Sequence, residues 1–321
     1  MADQFNSNDF DGPILITGAG GCIGSWTISL CSKAKIPIVA FDINNNKKRL
    51  KLLMHDEEIN NIKWIEGDIA DSDTIIKLIN KNNIQAIIHL AALQVPFCAA
   101  DPIAGAKANV IGTVNIFEAA RQNNLKRLAY ASSVAAHGLL QKNNYLATLY
   151  GAYKLCNENM AKVYYQDWKV PSIGIRPGIV YGVGRDQGMT SKTTVATLAA
   201  AANIDYTIPF SGPISALHAK EVATAFIMAV SRERNGAPVF DINGNFTTVE
   251  EWVNILNQIN PSANINFKGK AIPFPFQLSD KPLQEYIGKY ETVDLEFGIK
   301  QTYDSFKRLI SQGKISTKNL D

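Results

Sequence analysis

Tyr150 and Lys154 stand four residues apart in the run Tyr-Gly-Ala-Tyr-Lys. On a helix that spacing puts both side chains on one face. A free phenol has a pKa of about 10 and is only about 0.1% ionised at neutral pH. An ammonium beside it favours the phenolate and lowers that value. Tyr150 then becomes a general base toward an alcohol or a general acid toward a carbonyl. Ser132-Ser133 ends a predicted strand, where a hydroxyl can bind the same reacting oxygen. Tyr145 and Tyr153 are rivals for the base, but neither has a lysine four residues on. The spacing alone is common, and an ordinary surface helix pair satisfies it equally.

It gains weight from what lies upstream. TGAGGCIG (Thr17–Gly24) follows a predicted strand and opens a helix. Gly18 permits the tight turn, Gly21 lets backbone approach a pyrophosphate, and Gly24 permits close helix–strand packing. The N–H groups of Cys22, Ile23 and Gly24 at the helix start then face the phosphates. Asp42, about 20 positions on, ends the second predicted strand, where a carboxylate accepts both ribose hydroxyls of NAD and repels the extra phosphate of NADP. Lys47, Lys48 and Arg49 favour NADP if they face the ribose; they are expected instead to form a solvated helix face. Asp68, in Gly67-Asp68-Ile69, is placed either to accept from the adenine amino group, with Ile69 on the ring, or only to make a turn. Ala91 and Ala92 leave room at the end of the fourth strand. A bound nicotinamide cation would further favour the Tyr150 phenolate, and Lys154 can also hold the nicotinamide ribose.

These groups need a scaffold that brings strand ends together. Short apolar runs recur at Pro13–Thr17, Ile36–Asp42, Ile62–Asp68, Ala86–Ala92, Arg127–Ser133 and Ser172–Gly178, separated by helix-like segments. Asp71 or Ser72 can cap a helix with Ile75, Ile76 and Ile79 on one face. A long helix is expected from about Pro102 to Asn123 and another from near Tyr150. Strands apolar on both faces belong in a parallel sheet covered by helices. The fold class is therefore α/β, a Rossmann-type doubly wound parallel sheet with ligands at the carboxyl ends of its strands. After about Arg185 the alternation gives way to Gly212-Pro213, to Ala271–Phe276 (AIPFPF), and to a capping-box pattern from Thr248 to Glu251. The expected division is residues 1–180 for the nucleotide and catalytic groups and a smaller, less regular substrate-binding domain at 181–321, with some segments returning to the first.

Composition narrows the partners. The 321 residues are 46% apolar and 19% charged with a net charge of +3, which excludes a disordered chain and gives no reason to expect nucleic acid or a membrane surface. The four cysteines make no C-x-x-C and sit at no metal-ligand spacing with histidine, so no metal is expected. The polar N-terminus does not read as a secretory signal, and no apolar run reaches membrane-spanning length. A cytoplasmic protein is expected.

Taken together, TGAGGCIG, GDIAD, HLAA, ANVIGTVNIFEAAR, ASSVAAHG, YGAYK and RPGIVYGVGR, spanning Thr17 to Arg185, resemble the extended short-chain dehydrogenase/reductase family, in its NAD-dependent epimerase/dehydratase branch. The resemblance implies Ser133, Tyr150 and Lys154 as the catalytic set, Asn109 in the helix whose asparagine supports the lysine, and Pro177 and Gly178 near nicotinamide. It also implies a homodimer through Val110–Ala120 and Cys156–Trp168, though both helices can equally pack on their own sheet.

The chain departs from nucleotide-sugar relatives in two places. Gly178-Ile179-Val180 replaces their sugar-diphosphate asparagine, and Ile214-Ser215 stands where Arg-Asp is common. Without that guanidinium fork a diphosphate loses substantial affinity. Gln94, with the apolar Val95 and Phe97 in the pocket loop Leu93–Cys98, suits a small polyol, sugar, sugar acid or hydroxy acid, and Arg185 is either an anion or hydroxyl contact or a surface-loop residue. His218 reads better as a buried cap than as a site residue. The expected activity is hydride transfer between NAD and such a substrate, with Tyr150 as acid/base. The alternatives are an epimerase that keeps its NAD bound and a non-catalytic NAD sensor.

Overall fold

The computed structural model describes residues 5–138, 148–273, 275 and 277–317. The rival Tyr145 and both aromatic residues of the AIPFPF run, Phe274 and Phe276, lie outside them. The strands are β1 (Ile14–Thr17), β2 (Ile38–Asp42), β3 (Lys63–Glu66), β4 (Ala86–His89), β5 (Leu128–Ala131), β6 (Ile173–Pro177), β7 (Val180–Tyr181), β8 (Tyr206–Ile208), β9 (Pro213–His218), β10 (Val239–Ile242), β11 (Asn245–Thr248) and β12 (Ile265–Phe267). Seven of them form one parallel sheet in the order β10-β6-β5-β4-β1-β2-β3. The chain winds outward from β1 to β3, then crosses back to lay β4 on the other side of β1. That reversal opens a crevice above the carboxyl ends of β1 and β4.

The apolar strands explain the layering. Ile14, Ile16, Ile88 and Ile175 face the helices Cys22–Lys33 and Ala219–Val230, whereas Leu15, Val39, Phe41, Ile87 and Tyr130 face Ser72–Lys81, Gly112–Gln122 and Leu149–Trp168. Each fully buried Leu or Ile of this kind contributes about 1.5–3 kcal/mol. A separate core of residues beyond 178, including Tyr181, Trp252, Leu256, Ile299 and Phe306, unites β7, β9 and β11 with the helices Lys192–Ala201, Val249–Ile259 and Leu295–Ser311. The helix Ala219–Val230 and β10 lie beyond residue 180 yet pack in the first layer, β10 against β6.

Local differences from the expected elements have identifiable causes. Asp71 caps its helix as expected, accepting from Asp73 N and Thr74 N. Thr248 Oγ1 likewise accepts from Glu251 N at 3.1 Å, but the Glu251 carboxylate bonds Thr247 Oγ1 at 2.5 Å, so only half of that capping box forms. The expected helix from Pro102 to Asn123 is interrupted: Pro102–Ala106 passes into a π-helical turn at Lys107–Ile111 before Gly112–Gln122. Side chains take the Asn109 carbonyl there, Asn157 Nδ2 at 2.9 Å and Thr113 Oγ1 at 2.7 Å. No helix among the described residues is long and apolar enough to cross a membrane.

Candidate active site

The glycine loop lies at the carboxyl end of β1. Gly18 sits at φ +67°, and a Cβ there would lie 2.7 Å from Ala91 N; a Cβ on Gly24 would lie 2.2 Å from Gly18 O. Only glycine fits either position. The helix Cys22–Lys33 starts with Gly21 as its cap and no side-chain capping bond. Its first N–H groups therefore face the cleft with the positive end of the helix dipole behind them. Asp42 Oδ2 accepts from Gly20 N at 2.9 Å and Oδ1 from Ile43 N at 2.8 Å. This fixes the carboxylate beside the loop with acceptor capacity to spare. An open N-terminus, a glycine floor and a fixed carboxylate fit a pyrophosphate and its ribose.

Asp68 lines the same cleft, but its Oδ1 accepts from Ala70 N at 2.9 Å, a turn contact. Ile69 is buried against Gly112. Lys47–Arg49 do not form a helix face: Lys47 lies over the Trp64 ring. Arg49 enters the cleft, donating to Gly20 O at 2.9 Å and to Asp186 Oδ1 at 2.7 and 2.8 Å. Partial burial and two carbonyl and carboxylate partners outcompete water there. Of the two courses open to this cluster, Arg49 takes the inward one, held by Gly20 and Asp186, and not the solvated helix face.

At the other end, the helix Leu149–Trp168 starts under the Thr148 cap, which accepts from Gly151 N at 3.0 Å. It presents Tyr150 and Lys154 together, the ammonium 5.5 Å from the phenol ring centroid. Lys154 Nζ donates to Ala131 O at 2.6 Å at the end of β5. The expected lowering of the phenol pKa is not found. Burial pushes Tyr150 up to about 12, opposed by the Ser133 hydroxyl and the Arg185 charge. Burial also brings Lys154 down to about 8. Desolvation outweighs the neighbouring charge because both groups lose water together.

Ser133 accepts from Ala135 N at 3.2 Å and starts a short turn, Val134–His137. Behind it, Ser132 Oγ donates to Glu158 Oε1 at 2.5 Å, and Arg176 binds both oxygens of the buried Glu158 at 2.7 and 2.5 Å. No sequence spacing marks this brace, since its three members come from a loop, a helix and a strand. Asn109 does not reach Lys154. Its amide donates to Leu93 O at 3.1 Å and Gly105 O at 2.9 Å, tying the π turn to the loop after β4. Tyr153 is turned away, donating to Pro102 O at 2.8 Å. His218 caps the helix Ala219–Val230, its Nδ1 accepting from Lys220 N at 3.1 Å.

One cleft of about 690 Å³ is lined by all the expected residues: Gly18, Gly21, Cys22, Ile23, Gly24, Asp42, Asp68, Ile69, Ala91, Ala92, Gln94, Ser133, Tyr150, Lys154, Pro177 and Arg185. Gly178, Ile179 and Val180 also line it, whereas Ile214 and Ser215 are buried behind them, Ser215 Oγ accepting from Ile179 N at 3.0 Å.

The chain is similar to an uncharacterized protein of Methanocaldococcus jannaschii at 31% identity, over 53% of this chain and 56% of that protein. It thus spans little more than half of that relative's length. It is 25% identical to a putative UDP-glucose 4-epimerase of the same organism over 92% of this chain and 98% of that one. The structure resembles L-threonine dehydrogenase from Clostridium difficile at a TM-score of 0.79 and 19% identity, covering 95% of this chain and 99% of that one, a likeness of fold. The model of the NAD dependent epimerase/dehydratase family matches residues 14–243, and the chain belongs to that family.

Proposed function

We propose that this chain binds NAD and transfers a hydride between it and a small hydroxylated substrate, with Tyr150 as the acid/base. The observation that carries this reading is that the glycine-loop helix start and the Ser133–Tyr150–Lys154 group line one cleft. Gly18, Gly21 and Gly24 with the N–H groups of Cys22 and Ile23 take the pyrophosphate. Asp42 takes the adenosine ribose, Asp68 and Ile69 border the adenine, Ala91 and Ala92 leave it room, and Pro177 borders the nicotinamide. Bound NAD supplies the hydride acceptor. In the oxidising direction Tyr150 would receive the hydroxyl proton, Ser133 would hold the same oxygen, and Lys154 would hold the nicotinamide ribose and favour the phenolate. Residues 1–180, with the segments that return to their sheet, serve the cofactor and 181–321 close over the substrate.

The likeness to a putative UDP-glucose 4-epimerase favours a second reading, an epimerase that keeps its NAD. Against it, no basic side chain stands at Ile214-Ser215. The test is stoichiometry. Purified protein with NAD and a panel of sugars, sugar acids and polyols, nucleotide sugars alongside, yields NADH in proportion to product for a dehydrogenase; epimer interconversion without net NADH selects the second reading. NAD binding without turnover of any panel member would refute both and leave an NAD sensor, whereas a Tyr150→Phe protein with undiminished turnover would remove Tyr150 as the acid/base.

The exposed Ile111 and Val163, on the helices expected to pair, support a homodimer, testable by light scattering. The four free thiols support a cytoplasmic setting.

A further inference from the structure

Arg185 and Gln94 reach the substrate end of the cleft from distant segments and meet at Gly188. A Cβ on Gly188 would lie 2.3 Å from Gln94 Oε1 and 3.2 Å from Arg185 Nη2. Both side chains carry unused polar atoms. Arg185 Nη2 donates to Thr190 Oγ1 at 3.2 Å, but Arg185 Nε is buried with no partner, and so is Gln94 Oε1, among the described residues. A buried polar atom left unpaired is costly, and a charged one more so. The partners are not supplied from within. The carboxylates lining the cleft, among the described residues, are Asp42, Asp68 and Asp186. Asp42 is held at Gly20, Asp68 at Ala70, and Asp186 by the Arg49 fork. Arg185 therefore has no hydrogen-bonded carboxylate partner among the described residues, although Asp186 lies near enough for its charge to be felt, and its own charge acts on the Tyr150 phenol.

We infer that the substrate is a small hydroxy acid, its carboxylate held by Arg185, with Gln94 Oε1 accepting from a donor on the same molecule. A carboxylate matches the guanidinium fork in both geometry and charge. A neutral polyol leaves the guanidinium without a hydrogen-bonded counter-ion, and among the described residues lining the cleft a nucleotide sugar finds no second free guanidinium, since Arg49 is engaged. This rests on the hydride-transfer reading. The carbinol carbon gives its hydride to NAD and its hydroxyl proton to Tyr150, so a hydroxy acid becomes an oxo acid and NAD becomes NADH, while the carboxylate is unchanged.

The test uses the full chain with matched pairs: gluconate against sorbitol, glycerate against glycerol, and 3-hydroxybutyrate against 2-butanol. UDP-glucose forms a separate arm. Binding to the protein–NADH complex is read by the cofactor's fluorescence, and turnover with NAD by NADH formation. The expected result is that at least one acid binds about 10-fold or more tighter than its neutral partner. Arg185→Met weakens that acid about 100-fold and abolishes the preference, whereas Arg185→Lys keeps part of it. Unchanged thermal unfolding and NADH affinity in the variants would separate this from misfolding. Equal binding within every pair, no binding by any acid to a protein that binds NADH, a preference that survives Arg185→Met, or consumption of UDP-glucose alone would overturn the inference and leave hydride transfer standing. Failure to bind NADH at all would instead overturn the functional reading on which it rests.

Discussion

The two ends of the cleft are built by different means. The nucleotide end is made of backbone: glycines that a Cβ would block, a helix start without a side-chain cap, and one fixed carboxylate. The catalytic end is made of side chains drawn from the loop after β5, the helix Leu149–Trp168 and the loop after β7, several of them buried and shifted in pKa. Backbone sites tolerate few residue types, so they are rigid and hard to alter. Side-chain sites are tuned by desolvation and can be redirected one residue at a time.

The largest expected effect lies at the backbone end. Gly24→Val forces a Cβ against Gly18 O, with backbone on both sides. Calorimetric titration should find NAD binding lost, whereas retention of wild-type affinity would mean the loop does not approach the pyrophosphate. Next comes Tyr150→Phe, which keeps the ring and removes the proton carrier. It should lower kcat by about 10²–10⁴-fold with NAD affinity nearly intact, separating the two ends in one steady-state experiment. Asp42→Ala removes a charged acceptor from the ribose and should weaken NAD about 10- to 100-fold, while raising NADP relative to NAD. If both cofactors weaken equally, the carboxylate only orders Gly20 and Ile43.

The smallest effect sharpens the comparison through pH. Lys154 releases its proton at about 8 in the folded chain against 10.5 ordinarily. Between those values the unfolded chain binds more protons, so this group makes stability rise with pH across that window. Tyr150, raised to about 12 from 10, acts oppositely: above pH 10 the unfolded chain loses the phenol proton first, and stability falls. Urea unfolding from pH 8 to 10 should show a rise that Lys154→Met removes; an unchanged slope would mean that the ammonium is not desolvated.

The same contrast explains what the sequence made legible. Apolar strand runs and TGAGGCIG were readable because parallel sheets and tight turns restrict residue types at fixed spacing. The Tyr150–Lys154 pair was readable because both sit on one helix. The electrostatics were not: a phenol beside an ammonium reads as acidified, yet desolvation dominates, and burial is a property of the folded surroundings. Arg49, with Lys47 and Lys48, read as part of a solvated face because its partners Gly20 and Asp186 come from two other loops. The π turn was equally hidden, since the side chains that take the Asn109 carbonyl include Asn157 from another helix.

The pairing of Val239 with Gly174, and the packing of the Ala219–Val230 helix on Cys22–Lys33, bears on how the molecule assembles. Until β10 arrives, β6 keeps an open edge, and one face of the sheet lacks half its cover. Contacts this remote in the chain require a large loop to close first, which slows folding. A polypeptide stopped near residue 180 therefore holds every glycine of the nucleotide loop without a finished sheet beneath it.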